Sequence, residues 1–452
     1  MTAQIKTDQI KTEDKHLIIG AGFIGLGIAQ ALKATNIAYD QVERSDRLGG
    51  NWYHGVYTTA HIISSRKITQ FQDFPMPKDY PDFPSAAQML AYLESFAEHY
   101  DLPRNIELER EVRLVNPIAN NLWSVKFTNG EQRIYKGIIM CNGHHWHQRF
   151  PEFTGNFNGE IIHSKEYKQP EQLRGKRVLV IGGGNSACDI AAEAGRVATK
   201  SVLSLRESVW FLPKAIAGVP FCDLIQWWMP EWFQKLCAYL VIRFTFGTHQ
   251  SYGLEKPKHQ IFAKHPTLNN EVPYYLQHGR IIPKPEVKLL DGNEVEFSDH
   301  TREKIDLIVC ATGYYVSYPF LHPSLQRVRG SIVDCYAGSF LDDYKGLYFI
   351  GWGQARGGVG SLMSAYAPVF ARLLKLQDQI KIPLGLVFRK LGQNLPKTHL
   401  GDPQKVFLQL KFLNLFFKLL KTKAHQLDKQ HEDFQNIPLE ISPVTQESLI
   451  KS

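Results

Sequence analysis

Paired cysteines are missing from this 452-residue chain. Its six cysteines, Cys141, Cys188, Cys222, Cys237, Cys310 and Cys335, include no pair at C-x-x-C or C-x-x-x-x-C spacing. A dithiol redox centre and a thiolate metal site therefore lack their ligands, so no metal is expected and disulfide reduction is set aside. Met1 to Lys15 has no apolar core of a signal peptide and reads as a short disordered leader. The aromatic stretch from Phe221 to Phe246, with Trp227, Trp228 and Trp232, is broken by Pro230, Glu231 and Lys235, too often to span a bilayer. Basic residues outnumber acidic ones, for a net charge of +8, but they are dispersed, so no nucleic acid partner is expected. There is also no recognisable Ser/His/Asp or paired-carboxylate constellation. The default expectation is a reduced, cytoplasmic protein of roughly two or three domains.

What the chain does have is two glycine-rich fingerprints. The first is His16-Leu-Ile-Ile-Gly20-Ala-Gly22-Phe-Ile-Gly25, followed by Tyr39-Asp-Gln-Val-Glu43. The second is Arg177-Val-Leu-Val-Ile-Gly182-Gly-Gly184-Asn-Ser-Ala187, followed by Ser201-Val-Leu-Ser-Leu-Arg206. Each follows an apolar β-branched run and precedes an alanine-rich helical stretch, the strand–turn–helix context that gives the motif its meaning. Glycines let the backbone approach a pyrophosphate, which rests on amides at the helix N-terminus. Glu43 stands where an acid meets a ribose hydroxyl, so the first site reads as FAD or NAD. Arg206 holds the equivalent place in the second unit, where a guanidinium pairs with a 2′-phosphate, so that site reads as NADPH.

The remaining pattern is α/β. Asp73 to Pro84 is too rich in proline for a regular element. Ser85 caps a helical pattern that runs to Tyr100. Ile134 to Met140 leads into Cys141-Asn142-Gly143, a strand returning to the first site, and Lys304 to Tyr314 carries the chain out of the second. The expected fold is two nested Rossmann-like dinucleotide-binding domains, with an FAD domain (16–170 and 305–400) interrupted by an NADPH domain (171–304) that carries the aromatic-rich insert. Residues 401–452 form a C-terminal helix and polar tail.

These motifs together resemble the flavin-containing monooxygenases, the class B flavoprotein monooxygenases that use one polypeptide for FAD and NADPH. The resemblance runs from about His16 to Leu374. It rests on the two fingerprints, on Leu48-Gly-Gly-Asn-Trp52, Asp73-Phe-Pro-Met-Pro77 and Ala311-Thr-Gly-Tyr314, and most specifically on Phe157-Asn-Gly159-Glu-Ile-Ile-His163-Ser-Lys-Glu-Tyr167-Lys168. That last segment fits the linker signature F-x-G-x-x-x-H-x-x-x-Y-K. Tyr167, where the Baeyer–Villiger branch has tryptophan, favours oxygenation at nitrogen or sulfur. The resemblance implies that NADPH reduces the flavin and that a flavin C4a-hydroperoxide passes one oxygen atom from dioxygen to a small lipophilic amine or sulfide.

Carried across by position, Gly20, Gly22, Gly25, Glu43, Gly50, Asn51, Trp52, Ser64, Thr312 and Gly313 would contact FAD, with the last two near the seam between cofactors. Gly182, Gly184, Asn185, Ser186, Ala187, Cys188 and Arg206 would contact NADPH. Asn185 and Ser186 could instead serve only as helix caps, and His163 as a packed linker histidine. One position departs from the pattern. Ile63 stands where the family places an asparagine that touches flavin and nicotinamide, so Ser64, Ser65, His61 or Asn51 must substitute, or electrons leak to oxygen. The runner-up readings are accordingly an NADPH oxidase or flavin reductase, and a non-catalytic, membrane-associated NADPH-binding protein. The substrate pocket is expected between the insert around Trp210 to Phe246 and the Gly353–Gly360 loop. Val406 to Leu420, dense in phenylalanine and leucine, is read as a helix packed on the core or on a second subunit in preference to one lying on a membrane, with a loose polar tail from Lys421.

Overall fold

A computed structural model describes residues 12–226, 228–431 and 433–439. Trp227, most of the leader and the end of the tail lie outside them. The chain opens with β1 (His16–Ile19), α1 (Phe23–Ala34) and β2 (Tyr39–Val42), then α2 (Ala86–His99), β3 (Ile106–Glu107) and β4 (Gly137–Met140). It continues through β5 (Glu160–His163), β6 (Arg177–Ile181), α3 (Asn185–Val197), β7 (Lys200–Ser204), β8 (Ile281–Lys284) and β9 (Leu307–Cys310) before returning as β10 (Leu347–Phe349). Two five-stranded sheets result, in the orders β10-β4-β1-β2-β3 and β5-β9-β6-β7-β8. Every pairing in both is parallel.

The sheets are alike because their sequences are alike. In each, the strand entering the fingerprint is central and apolar, as a parallel strand covered on both faces must be. A helix then carries the chain over one face to the next strand, the usual crossover of a doubly wound sheet. The second sheet draws strands from both sides of the expected 171–304 limits, since β5 and β9 belong to it. The first sheet closes only when β10 pairs with β4 (Leu347 beside Ile138). The second sheet is therefore an insertion within the first.

Local chemistry fixes the elements that frame the site. Ser85 caps α2, as the pattern predicted, and with Gln88 it forms a reciprocal capping box. Two residues expected in the leader are instead anchored: Thr12 is buried and Lys15 pairs with Asp40 at 2.9 Å. Between β7 and β8 the chain forms α4 (Glu231–Thr245), and after β10 comes α5 (Val359–Gln377), which packs against α1. The C-terminal prediction needs correcting. The apolar run forms two helices, α6 (Pro403–Leu415) and α7 (Phe417–Asp428), broken at Phe416. Residues 421–428, expected to be loose, are helical, and Asp428 accepts hydrogen bonds from the amides of Lys381 (2.6 Å) and Ile382 (3.0 Å). Leu410 and Leu420 are buried, but Leu408, Phe412, Leu415, Phe416 and Leu419 are exposed, so the segment is packed along one side only.

Candidate functional site

Both fingerprint turns open onto one cavity of about 1770 Å³. The cap residues of α1 and α3 are Gly22 and Gly184, both extended, with no side-chain cap and no acid in the first turn. The first-turn amides of an α-helix have no partner within the helix. Here they face the cavity, beside glycines whose missing Cβ leaves room. A Cβ on Gly50 would stand 3.0 Å from Gly22 Cα, and one on Gly184 would meet open space. Two dipole-favoured anion sites with cleared approaches fit two pyrophosphates.

On the first-sheet side, Gly20, Gly22, Glu43, Gly50, Asn51 and Trp52 line the cavity together. Glu43 is buried and accepts from the amides of Ala21 (2.8 Å) and Ser45 (3.1 Å), which fixes its carboxylate beside the turn. Gly25 plays a different part from the one predicted. It lies off the cavity wall, and a Cβ there would come within 2.0 Å of the Gly20 carbonyl oxygen, so it permits strand–helix contact.

On the second-sheet side, Gly184, Asn185 and Ser186 line the cavity, whereas Gly182, Ala187 and Cys188 are absent from its wall. Gly182 plays the packing role again, since a Cβ there would stand 2.4 Å from the Ala311 carbonyl oxygen, while Ala187 and Cys188 are core. Neither Asn185 nor Ser186 caps the helix. The Asn185 amide donates to the Pro266 carbonyl (3.0 Å) and accepts from the Leu268 amide (2.9 Å), tying the turn to the insert. Arg206 follows β7, exposed and outside the cavity wall, with no ion-pair partner among the described residues. Gly313 reaches the cavity; Thr312 does not, its hydroxyl donating to the Arg149 carbonyl and its own carbonyl accepting from that guanidinium.

Ile63 lines the cavity, and its suggested substitutes are unequal. Ser65 is buried off the wall and donates to Asp223. The Ser64 and Thr69 hydroxyls share a hydrogen bond of 2.6 Å, and His61 donates to the Thr59 carbonyl at 2.7 Å. Asn51 faces the cavity without a hydrogen bond to any described residue. His163 is a linker histidine: its ring donates to the Gly313 carbonyl (3.0 Å) and accepts from the Lys165 amide (3.2 Å), and burial lowers its pKa.

Several lining residues escaped the sequence reading. His144 donates through Nδ1 to the Gly351 carbonyl at 2.8 Å, which leaves Nε2 buried without a partner among the described residues. Burial lowers the pKa of His144 and pushes that of His145 well down, so both rings stay neutral at pH 7. The Gly143-His-His145 run at the end of β4 was the available signal. Tyr57 and Asp189 also line the cavity and bond to each other at 2.8 Å across the two sheets' territories, a pairing 132 residues apart that only folding reveals. The predicted insert does contribute, but through Phe221, Cys222, Asp223, Ile225, Gln226 and Gln234. Trp228 and Trp232 point outward, exposed at 59% and 67%.

Comparison with known proteins then decides the family. The model of the flavin-binding monooxygenase-like family matches residues 13–383. This chain belongs to that family. It is 31% identical to dimethylaniline monooxygenase [N-oxide-forming] 2 of Macaca mulatta over 71% of its own length and 65% of that protein's. It thus spans slightly under two thirds of that relative. Against flavin-containing monooxygenase 2 of Homo sapiens the identity is 31%, covering 90% of this chain and 82% of the other. Among solved structures, the closed form of cyclohexanone monooxygenase superposes with a TM-score of 0.67 at 14% identity, covering 89% and 97% of the two chains. The flavin-containing monooxygenase of Stenotrophomonas maltophilia gives 0.60 at 21% identity, covering 80% and 98%. These two likenesses establish the nested α/β fold.

Proposed function

We propose that this family member is an FAD-dependent monooxygenase that consumes NADPH and transfers one oxygen atom from dioxygen to a small lipophilic amine or sulfide. The carrying observation is the pair of uncapped, glycine-led helix N-termini, Gly22 and Gly184, that open on one cavity. In this reading Gly20, Gly22 and Gly50 receive the FAD pyrophosphate, Glu43 its ribose, and Asn51 and Trp52 the flavin side. Gly184, Asn185 and Ser186 receive NADPH, with Arg206 at the 2′-phosphate. The sheet of the first fingerprint serves FAD, and that of the second, which includes β5 and β9 beyond the expected 171–304 limits, serves NADPH. When bound, the cofactors supply hydride transfer and oxygen activation, chemistry that side chains lack. The chain's own work is to orient them and exclude water, for which Ile62, Ile63, Phe221, Ile225 and Leu362 provide an apolar wall.

The test is anaerobic reduction of the FAD-loaded protein by NADPH, followed by oxygen, with and without candidate amines and sulfides. An oxygenated product in proportion to NADPH is expected. Hydrogen peroxide equal to NADPH consumed, across a broad substrate panel, would replace this reading with the second one, an NADPH oxidase. Ile63 favours that second reading, together with the engagement of Ser64 and Ser65 elsewhere.

A peripheral membrane contact is also proposed. Trp232, Leu236, Leu240 and Phe244 recur at helical spacing on the exposed side of α4, as do Leu408, Phe412, Leu415 and Leu419 along α6 and α7. No helix among the described residues is long and apolar enough to cross a membrane. Co-sedimentation with anionic vesicles, lost on Trp232→Ser with Phe412→Ser, checks the proposal.

A further inference from the structure

Among the described residues, five carboxylates line the cavity: Glu43, Asp73, Glu111, Asp189 and Asp223. Glu43 is held by two amides, and Asp189 by the Tyr57 hydroxyl (2.8 Å) and the Asn269 amide (2.9 Å). Asp73 and Glu111 are exposed. Asp223 differs from all four. It is half-buried, in the first turn of the short helix Phe221–Leu224, and one oxygen accepts from the buried Ser65 hydroxyl. Its other oxygen has no partner among the described residues, and no lysine, arginine or histidine there lies within ion-pair distance. Around it stand the apolar side chains of Ile63, Phe221 and Ile225, with the Gln226 amide donating to the Asp223 carbonyl at 2.6 Å and the Cys222 thiol against the Ile63 carbonyl at 3.8 Å. Burial raises the Cys222 pKa, so the thiol stays neutral and supplies no compensating charge.

Asp223 thus offers the cavity a carboxylate with one neutral hydrogen bond and no counter-charge among the described residues, and a cation that meets it gains a charge-assisted hydrogen bond. We propose that Asp223 is a cation subsite that binds the ammonium group of a substrate, while the substrate's apolar stem lies along Ile63, Phe221 and Ile225. A charge-assisted hydrogen bond to the free oxygen supplies the recognition, and Ser65 fixes the carboxylate in place. The ligand class is a small molecule that carries a protonated amine at one end and a soft sulfur or second, uncharged nitrogen at the other. This deepens the monooxygenase reading: the reacting atom rests on that reading, whereas the ammonium site does not.

The experiment titrates the oxidised, FAD-loaded protein with two near-isosteric thioethers, methylthioethylamine and methylthioethanol, by calorimetry. Binding of the amine about tenfold tighter than the alcohol is expected, about 1.4 kcal/mol, with the preference weakening as salt rises. Asp223→Asn, which keeps an acceptor for Ser65, should bring the ratio near one, and Asp223→Glu should restore part of it. Equal affinities in the unaltered protein, or an unchanged ratio in Asp223→Asn, would overturn the subsite. The salt series on the unaltered protein decides the matter even if the variants fold poorly: a preference that does not weaken overturns it. An ammonium preference without sulfoxide formation from either thioether supports the subsite and counts against oxygen transfer.

Discussion

Replacing Tyr57 with phenylalanine removes one hydroxyl and keeps the ring, which isolates the hydrogen bond joining the first-sheet loop to α3. Tyr57 is buried, its ring centroid 5.6 Å from that of Tyr167, and its hydroxyl donates to Asp189 at 2.8 Å. One turn further along α3, Tyr167 makes the matching bond to buried Glu193, so two tyrosines from outside the helix grip it at successive turns. A hydrogen bond to a charged partner is worth about 1.5–3 kcal/mol. The lower end applies here, because Asp189 keeps its Asn269 bond and can partly escape by taking a proton. Burial already raises the Asp189 pKa, and Tyr57 opposes that rise. Without Tyr57 the pKa climbs further. A raised carboxyl pKa costs stability as pH rises from the unfolded value of 3.8 through the folded one, so the penalty is largest at neutral pH and shrinks in acid. Urea unfolding of the FAD-loaded protein at pH 7 should show a loss of about 1.5 kcal/mol with an unchanged slope. A double-mutant cycle with Asp189→Asn should return most of that as coupling. A loss below about 0.5 kcal/mol, the scatter of ordinary surface substitutions, or one that grows in acid, would refute the argument.

Three further outcomes follow from the geometry. Gly25→Ala drives a methyl to 2.0 Å from the Gly20 carbonyl, so flavin content of the purified protein should collapse with its melting temperature; retention of both would remove the packing role. Arg206→Ala should raise the dissociation constant for NADPH much more than for NADH, and equal losses would move the 2′-phosphate site elsewhere. The Arg177 guanidinium beside Asp306 holds that carboxyl at about 2, below its usual 3.8. Its stabilisation is therefore present above pH 3.8 and lost as pH falls through 2, and Asp306→Asn should lower stability at pH 7 but not at pH 2.

Much of the fold was legible because its signals are local. A β-branched run, a glycine turn and an alanine-rich helix must follow each other in order, so β1–α1 and β6–α3 could be read directly, as could the Ser85 cap. Glu43 and Asn51 both line the cavity. The reading failed where a residue's neighbour is distant. Gly25 and Gly182 carry the motif but face carbonyl oxygens, not the cavity. Asn185 has the residue type of a cap, yet its side chain bonds to the Pro266–Leu268 segment. Ser65 appeared free to serve the site until Asp223, 158 residues away, took its hydroxyl. The aromatic insert suggested a pocket lining, but Trp228 and Trp232 face solvent.

The sequence by itself determined that there are two dinucleotide-type turns, with an acid after one and a base after the other, because these depend on backbone freedom and charge within a few residues. The nesting was also legible, since apolar strands recur on both sides of the second fingerprint. Only the tertiary structure decided that both turns share one cavity and that Asn51 and Ile63 both line it. It alone showed that Tyr57 and Tyr167 hold α3, and that Asp223 stands without a counter-charge. Those facts depend on which distant groups satisfy which hydrogen bonds, and that pairing is settled only when the sheets close around each other.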